Sequence, residues 1–298
     1  MTSTSTNKFK PLLADDADLK KLRYPVLASP KMDGVRATFI NGRLMTRSLK
    51  PLANRAIDVE FYSPHPLDGE LIVGDPRSKS VFRDTMKVVS AHNADITDLQ
   101  FYVFDLVTSD FPFKDRLAFT IQCIQEVRRF VHVPHAMVTN ETELLRLEEV
   151  MLDQGYEGLM LRDPLGKYKF GRSTVSEGIL LKLKRKLRSE AEVIGFEEQM
   201  HNGNEAKLDN LGYTERSSHQ ANKVPMGTLG ALKVRDLVSG VDFNIGTGFT
   251  FADRSEIWSN QEKYLHQIAS YEYLPIGVKD RPRHPTFVGW RAREDLST

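Results

Sequence analysis

The texture of the chain changes after Lys184, and that change constrains the fold more than any other feature. Up to there, runs rich in β-branched and aromatic residues alternate with helical periodicity. Beyond it come short strands and one amphipathic helix near 253–268. With 298 residues the chain has room for two domains with separate cores. The charged stretch 186–192 reads as the hinge, which divides the chain into 1–188 and 189–298 and predicts an α+β protein.

Within the first part, Asn41-Gly42 reads as a hairpin turn between strands at 36–40 and 44–47. Residues 67–73 read as an Asp-Gly turn entering a buried strand, and 101–107 as an aromatic-rich strand. Asn140 and Glu143 have capping-box spacing ahead of an apolar helical pattern, with Gly155 ending it. Strands follow at 157–161 and 179–184, the second placing Lys182 and Lys184 on one face. The second part reads as strands at 191–196, 230–234 and 241–245. Between them lies a polar, glycine- and asparagine-bearing excursion at 200–225, so this part is expected to be a small β-barrel with a long flexible insert.

Composition excludes several classes. Cys123 is the single cysteine, so neither an intramolecular disulfide nor a cysteine-cluster zinc site is available. The polar opening at 1–7 lacks a signal-peptide core, and no apolar run is long enough to span a bilayer. These features predict a soluble intracellular protein in a reducing compartment, without membrane contact. The net charge is only +1, but 163–188 holds eight basic residues against Asp163 and Glu177. Such segregation makes a positive field on a nearly neutral protein, suited to a polyanion.

The chemistry centres on Lys31 in Lys31-Met32-Asp33-Gly34-Val35-Arg36. A lysine acts as a nucleophile only where burial or nearby cations favour its neutral amine. Arg36, Lys182 and Lys184 are candidates for those cations, and they would also neutralise a phosphate under attack. Glu70 and Glu157 offer hard oxygen ligands for a divalent metal, and Phe104 offers a ring for stacking a base. Each has an ordinary explanation alone: a surface turn, a solvated strand end, a core phenylalanine, an edge strand guarded by lysines. Their joint order carries the signal: Lys-x-Asp-Gly-x-Arg, Asp-Gly-Glu, Phe-Asp, Glu-Gly, Lys-x-Lys.

That ordered set resembles the covalent nucleotidyltransferases, and most closely the minimal ATP-dependent DNA ligases of the Chlorella virus type. The resemblance extends to Arg47 with Lys50-Pro51 and Asn54, to 166–174, to 178–182, to the insert ending at Val224, to Ile245-Gly246-Thr247-Gly248-Phe249 and to Pro282-Arg283. It implies an adenylyltransferase domain with ATP-grasp-like antiparallel sheets and helices, followed by an OB-fold β-barrel. The insert at about 199–224 would be a DNA-binding latch. It implies ATP and Mg²⁺, or Mn²⁺, as cofactors and nicked duplex DNA as partner, the enzyme acting as a monomer that closes around DNA.

Residue by residue, the resemblance makes Lys31 the adenylylated nucleophile and gives Asp33 a part in later chemistry. Arg36 would contact phosphate or the nick terminus, Glu70 the ribose, Phe104 the adenine and Glu157 the metal. Lys182 and Lys184 would hold the α-phosphate. Arg47, Asn54, Phe82, Arg172, Lys207, Arg216 and Lys223 would bind DNA, and Arg283, Arg291 and Asp295 would orient the leaving pyrophosphate. Leu296 stands where the family's last basic residue is expected. An RNA-joining ligase, a GTP-dependent capping enzyme and a catalytically dead nucleic-acid-binding module are the competing readings. The Walker A pattern of P-loop ATPases is absent.

Overall fold

A computed structural model describes residues 9–108, 110–208, 214–216, 222–274 and 281–292. It divides into two compact units, the first built on the chain up to Lys184 and the second on most of the chain from Arg185 onward.

The first unit contains strands β1 (Asp15–Asp16), β2 (Val26–Pro30), β3 (Val35–Ile40) and β4 (Arg43–Thr46), helix α1 (Arg55–Glu60), β5 (Leu67–Val73), α2 (Val81–Ser90) and β6 (Leu99–Leu106). There follow α3 (Phe113–Ile124), β7 (Phe130–His132), β8 (Ala136–Val138), α4 (Glu141–Asp153), β9 (Leu159–Arg162) and β10 (Leu180–Leu183). They build two five-stranded sheets, ordered β4-β3-β5-β6-β7 and β1-β10-β9-β2-β8. The first buries Phe39, Leu71, Phe101 and Val103 against Ile57 and Val89, from α1 and α2. The second buries Val26, Leu159, Leu161 and Leu181 against Leu144 of α4. That helix starts where its spacing predicts, with Asn140 Oδ1 accepting from Glu143 N–H, but the Glu143 carboxylate reaches past the cap residue to Thr139 N–H instead of closing a capping box on Asn140.

The hairpin turn forms where the sequence places it. Asn41 (φ 51°) and Gly42 (φ 80°) both occupy the left-handed region that a two-residue turn of this hand needs. The Asp68-Gly69 turn does not form. Those residues lie inside β5, where the register with β6 slips between Asp68 and Gly69. The motif glycines serve close approach. A Cβ on Gly69 would stand 2.5 Å from the Tyr102 carbonyl oxygen, and one on Gly34 would stand 2.3 Å from that of Leu71.

The second unit comprises β11 (Leu187–Asn202), β12 (Ala206–Leu208), β13 (Thr214–Arg216), β14 (Lys223–Asp236), β15 (Asp242–Ile245), α5 (Phe251–Ser259), α6 (Gln261–Tyr264), β16 (Ile268–Leu274) and β17 (Arg283–Arg291). The sheet order is β15-β14-β11-β16-β17. Its two edges meet where Phe287 N–H donates to the Thr247 carbonyl at 2.9 Å and Thr247 bridges Thr286, closing a small barrel. Val193, Leu232, Val234, Ile245 and Tyr271 fill it.

Three expectations change here. The charged stretch read as a hinge enters β11, because Arg188 pairs with Glu272 and its charge is met within the sheet. The helix near 253–268 is two helices, α5 beginning with the Thr250–Asp253 capping box and α6 ending at Tyr264. The insert is no structureless loop. β11 and β14 continue as a ribbon through Met200↔Pro225 and Asn202↔Lys223, and β12 pairs with β13 beyond it.

Candidate active site

A cavity of about 270 Å³ opens in the first unit, lined by residues of both sheets. Lys31 reaches it from the end of β2. Beyond Pro30 the pairing of β2 with β9 continues into the loops: Lys31 N–H donates to the Gly158 carbonyl (2.9 Å) and Glu157 N–H to the Lys31 carbonyl (3.3 Å). This reciprocal pairing sets the two side chains together, and the Glu157 carboxylate accepts from the Lys31 amine. Gly158 has φ +140°, and a Cβ there would stand 2.2 Å from the Leu183 carbonyl oxygen, so only glycine lets the chain after Glu157 run this close to the end of β10.

Around Lys31 the wall carries Arg36, Arg47, Arg162, Arg172 and Lys182, with Glu70 and the Phe104 ring. Lys182 also pairs with Asp16 at 3.4 Å. Lys184 sits close enough to feel the same charges. Burial lowers its pKa, Glu157 opposes that, and Lys31 and Lys182 reinforce it. Burial pushes the Glu70 carboxyl up to about 7, against the pull of Lys31 and Arg36. Such a carboxyl can donate as well as accept a hydrogen bond near neutrality.

Two buried ion-pair systems underlie this wall. Asp68 accepts from Arg36 Nε (3.0 Å) and Nη2 (2.5 Å), from Thr38 Oγ1 (3.0 Å) and from Tyr168 Oη (2.7 Å). Burial lowers the Arg36 pKa, but Asp68 outweighs it and holds the guanidinium above its ordinary value. Asp105 accepts from Arg116 Nε (2.8 Å) and Nη2 (3.3 Å) and from Arg162 Nη1 (2.6 Å). Both aspartates are fully buried. Of the residues in these two systems only Arg36 has a site role in the sequence pattern; Asp68 and Asp105 belong to its Asp-Gly-Glu and Phe-Asp motifs without one. The available signal was a charged residue inside an apolar strand, as in Phe104-Asp105-Leu106 or Leu161-Arg162, which is buried only when paired.

The cavity thus gathers Lys31, Arg36, Arg47, Glu70, Phe104, Arg172 and Lys182, with Glu157 reaching it through Lys31. Arg172 also donates to the Ala14 carbonyl. Asp33 is half-buried and raises the Glu70 pKa without lining the cavity. Phe82 is exposed on α2, away from the lining. Asn54 requires correction as a DNA contact. It is fully buried, caps α1 through Ala56 N–H (3.1 Å) and donates to the Val88 and Ala94 carbonyls (both 3.0 Å). In the second unit Lys207 is exposed and Lys223 half-buried on the ribbon, Arg283 opens β17, and Arg291 pairs with Glu190 at 3.1 Å. The Arg216 side chain, Asp295 and Leu296 lie outside the described residues.

A lysine paired with a carboxylate, ringed by cations and facing an aromatic ring suits transfer of a nucleotide through its phosphate. Comparison with known proteins decides the family. Residues 11–184, more than half of the chain, match the ATP dependent DNA ligase domain, and 222–291 match the DNA ligase OB-like domain. The chain belongs to the ATP-dependent DNA ligases. It is an α+β enzyme with an adenylation domain followed by an OB-like domain.

The chain is 30% identical to the Chlorella virus DNA ligase-adenylate in its crystal structure, covering 95% of this chain and 99% of that one, with a TM-score of 0.54. A DNA ligase of Haemophilus influenzae is 25% identical over 89% of this chain and 86% of its own length. A DNA ligase of African swine fever virus is 33% identical over 47% of this chain, which spans 33% of the viral protein. A Lig E DNA ligase, 20% identical with 94% of this chain and 98% of that chain covered, shares the fold at a TM-score of 0.70.

Among the described residues no helix is long and apolar enough to cross a membrane. ATP use follows from the family, and DNA is the substrate that its two domains imply.

Proposed function

We propose that this ligase seals 5′-phosphate/3′-hydroxyl nicks in duplex DNA through an AMP carried on Lys31. The observation that carries the reading is the Lys31 amine held by Glu157 on the wall of a cavity ringed by arginines and Lys182. In the first step Lys31 Nζ attacks the α-phosphorus of ATP. An N–P bond forms and the P–O bond to pyrophosphate breaks. Glu157, already on the amine, orients it at the cavity wall, and the ammonium proton passes to solvent before the attack. Lys182 and Lys184 neutralise the charge growing on the α-phosphate oxygens. Phe104 supports the adenine and Glu70 hydrogen-bonds the ribose.

In the second step an oxygen of the nick 5′-phosphate attacks the same phosphorus, the N–P bond breaks and Lys31 recovers its proton. In the third, the 3′-hydroxyl attacks the activated 5′-phosphate and AMP departs. Arg47 and Arg172 hold the 5′-phosphate, Asp33 serves these later steps, and Phe82 lies along the 3′ side. Lys207, Arg216 and Lys223 bind the duplex backbone from the ribbon, so that a monomer closes around the nick. Arg283, Arg291 and Asp295 orient the leaving pyrophosphate.

The family implies a divalent metal. Among the described residues no three His, Cys, Asp or Glu side chains converge. That suits Mg²⁺, which is held through one or two carboxylates together with substrate phosphates. Glu157 fits as the ligand. Glu70, partly protonated near neutrality, fits the ribose better than the metal. When bound, the metal would draw charge from the phosphate oxygens. Incubation with α-labelled ATP tests the reading: wild type is expected to carry label on the peptide containing Lys31, and Lys31→Ala to carry none while melting normally. Label elsewhere, or label on Lys31→Ala, contradicts it.

A further inference from the structure

Arg162 closes β9 and is 3% exposed, yet it lines the nucleotide cavity. Asp105 does not need it. Arg116 alone engages both carboxylate oxygens of Asp105 and anchors itself on the Phe111 and Gly166 carbonyls at 2.7 and 2.9 Å. A second buried guanidinium on one carboxylate costs desolvation that the shared charge offsets only in part. Across the two systems three arginines, Arg36, Arg116 and Arg162, share two buried carboxylates, and Arg162 is the one whose carboxylate is already engaged on both oxygens by another arginine.

Two aromatic rings account for where that guanidinium lies. Its centre stands 4.6 Å from the Phe113 centroid and 5.4 Å from the Phe104 centroid, and Arg36 also stands 5.4 Å from Phe104. Among the described residues Asp105 alone accepts a hydrogen bond from the Arg162 guanidinium. A cation against a phenyl ring is attracted by its quadrupole and draws electron density from it. A ring so polarised makes a better partner for an electron-rich purine, and a ring pinned by two guanidiniums keeps one orientation as nucleotides come and go.

We propose that Arg162, steered by Asp105, is a positioning residue that fixes and polarises Phe104 as the adenine platform. This rests on the adenylyl-transfer reading above. The role is indirect and acts on the base, so it should appear in nucleotide affinity and leave the chemistry of Lys31 alone.

The test measures self-adenylylation rates against ATP concentration for wild type, Arg162→Met and Arg162→Lys. Inhibition by adenosine, which has a base and no phosphate, is measured beside inhibition by tripolyphosphate, which has phosphates and no base. Arg162→Met is expected to raise KM for ATP roughly tenfold at unchanged kcat. Adenosine inhibition should weaken by the same factor and tripolyphosphate inhibition should hold. Arg162→Lys keeps the charge without the planar fork and should fall between. Should Arg162→Met melt below the assay temperature, Arg162→Lys carries the same comparison. An unchanged KM overturns the proposal, as does weakened tripolyphosphate inhibition with adenosine unaffected. If wild type takes no label, the adenylyl-transfer reading has failed and this inference falls with it. Label on wild type with unaltered variants sinks this inference alone.

Discussion

At the scale of single residues, burial separates the groups that hold the site together from those that meet substrate. Asn54 belongs to the first kind, because its amide serves three backbone groups inside the fold. Asn54→Ala should lower unfolding free energy by about 2–3 kcal/mol, from the lost cap and two unsatisfied carbonyls. Nick affinity of the folded fraction should hold, as urea unfolding and filter binding would reveal. Glu70 predicts a pH dependence. Its pKa is about 7 folded against 4.5 for the free side chain, so between these values the folded chain keeps a proton that the unfolded chain releases. Stability contributed by that proton is complete below pH 4.5 and declines through pH 7, by at most about 3 kcal/mol. In the absence of nucleotide, Glu70→Gln should flatten this part of the profile. An unaltered slope would place the titration elsewhere. Lys31, Arg36, Glu70, Phe104 and Lys182 were legible from sequence because motif order brings them to one cavity. The pairing of Asp68 and Asp105, and Arg162 altogether, were not, because pairing across strands far apart in sequence decides whether a buried charge is tolerated.

Among the elements, closure of the second-unit barrel depends on the glycines after β15. Gly248 has φ +94°, and a Cβ there would stand 2.2 Å from the Phe287 carbonyl oxygen, beside the Thr247–Thr286 bridge. Gly240 also has positive φ (+70°), but a Cβ there would meet no heavy atom within 4 Å. Gly240→Ala therefore meets backbone strain alone and should cost about 1 kcal/mol, whereas Gly248→Ala adds a clash and should cost about 3. Equal losses in chemical unfolding would show that the barrel edge yields freely. The same contrast explains a misread element. Asp68-Gly69 has turn chemistry, but its glycine is needed where β5 packs tightly on β6, and sequence alone does not separate the two uses. The hairpin at Asn41-Gly42 was legible because both positions need positive φ.

For the molecule as a whole, the ribbon formed by β11 and β14 matters most. Its polarity suggested a flexible loop, but alternating cross-strand pairs carry it to Asn202↔Lys223. A two-stranded ribbon without a core of its own buries little apolar surface, so its pattern is polar even where its backbone is paired. Replacing 203–222 by a short turn should raise the Kd for a nicked duplex at least roughly tenfold and make its salt dependence shallower, as lost phosphate contacts require. Labelling of Lys31 by ATP should be unaffected. Equal loss of both would mean that the ribbon serves the first step rather than DNA binding. The charge cluster that follows Lys184 belongs to a strand rather than a hinge.

Whether one lysine carries AMP from ATP to a nick is decided by a pulse-chase. The enzyme is labelled with α-labelled ATP, freed of nucleotide and mixed with a singly nicked duplex in Mg²⁺. Label is expected to leave Lys31, pass through adenylylated DNA and end as free AMP in proportion to sealed strands, with nothing from Lys31→Ala. Label that stays on the protein while strands are sealed would contradict this route.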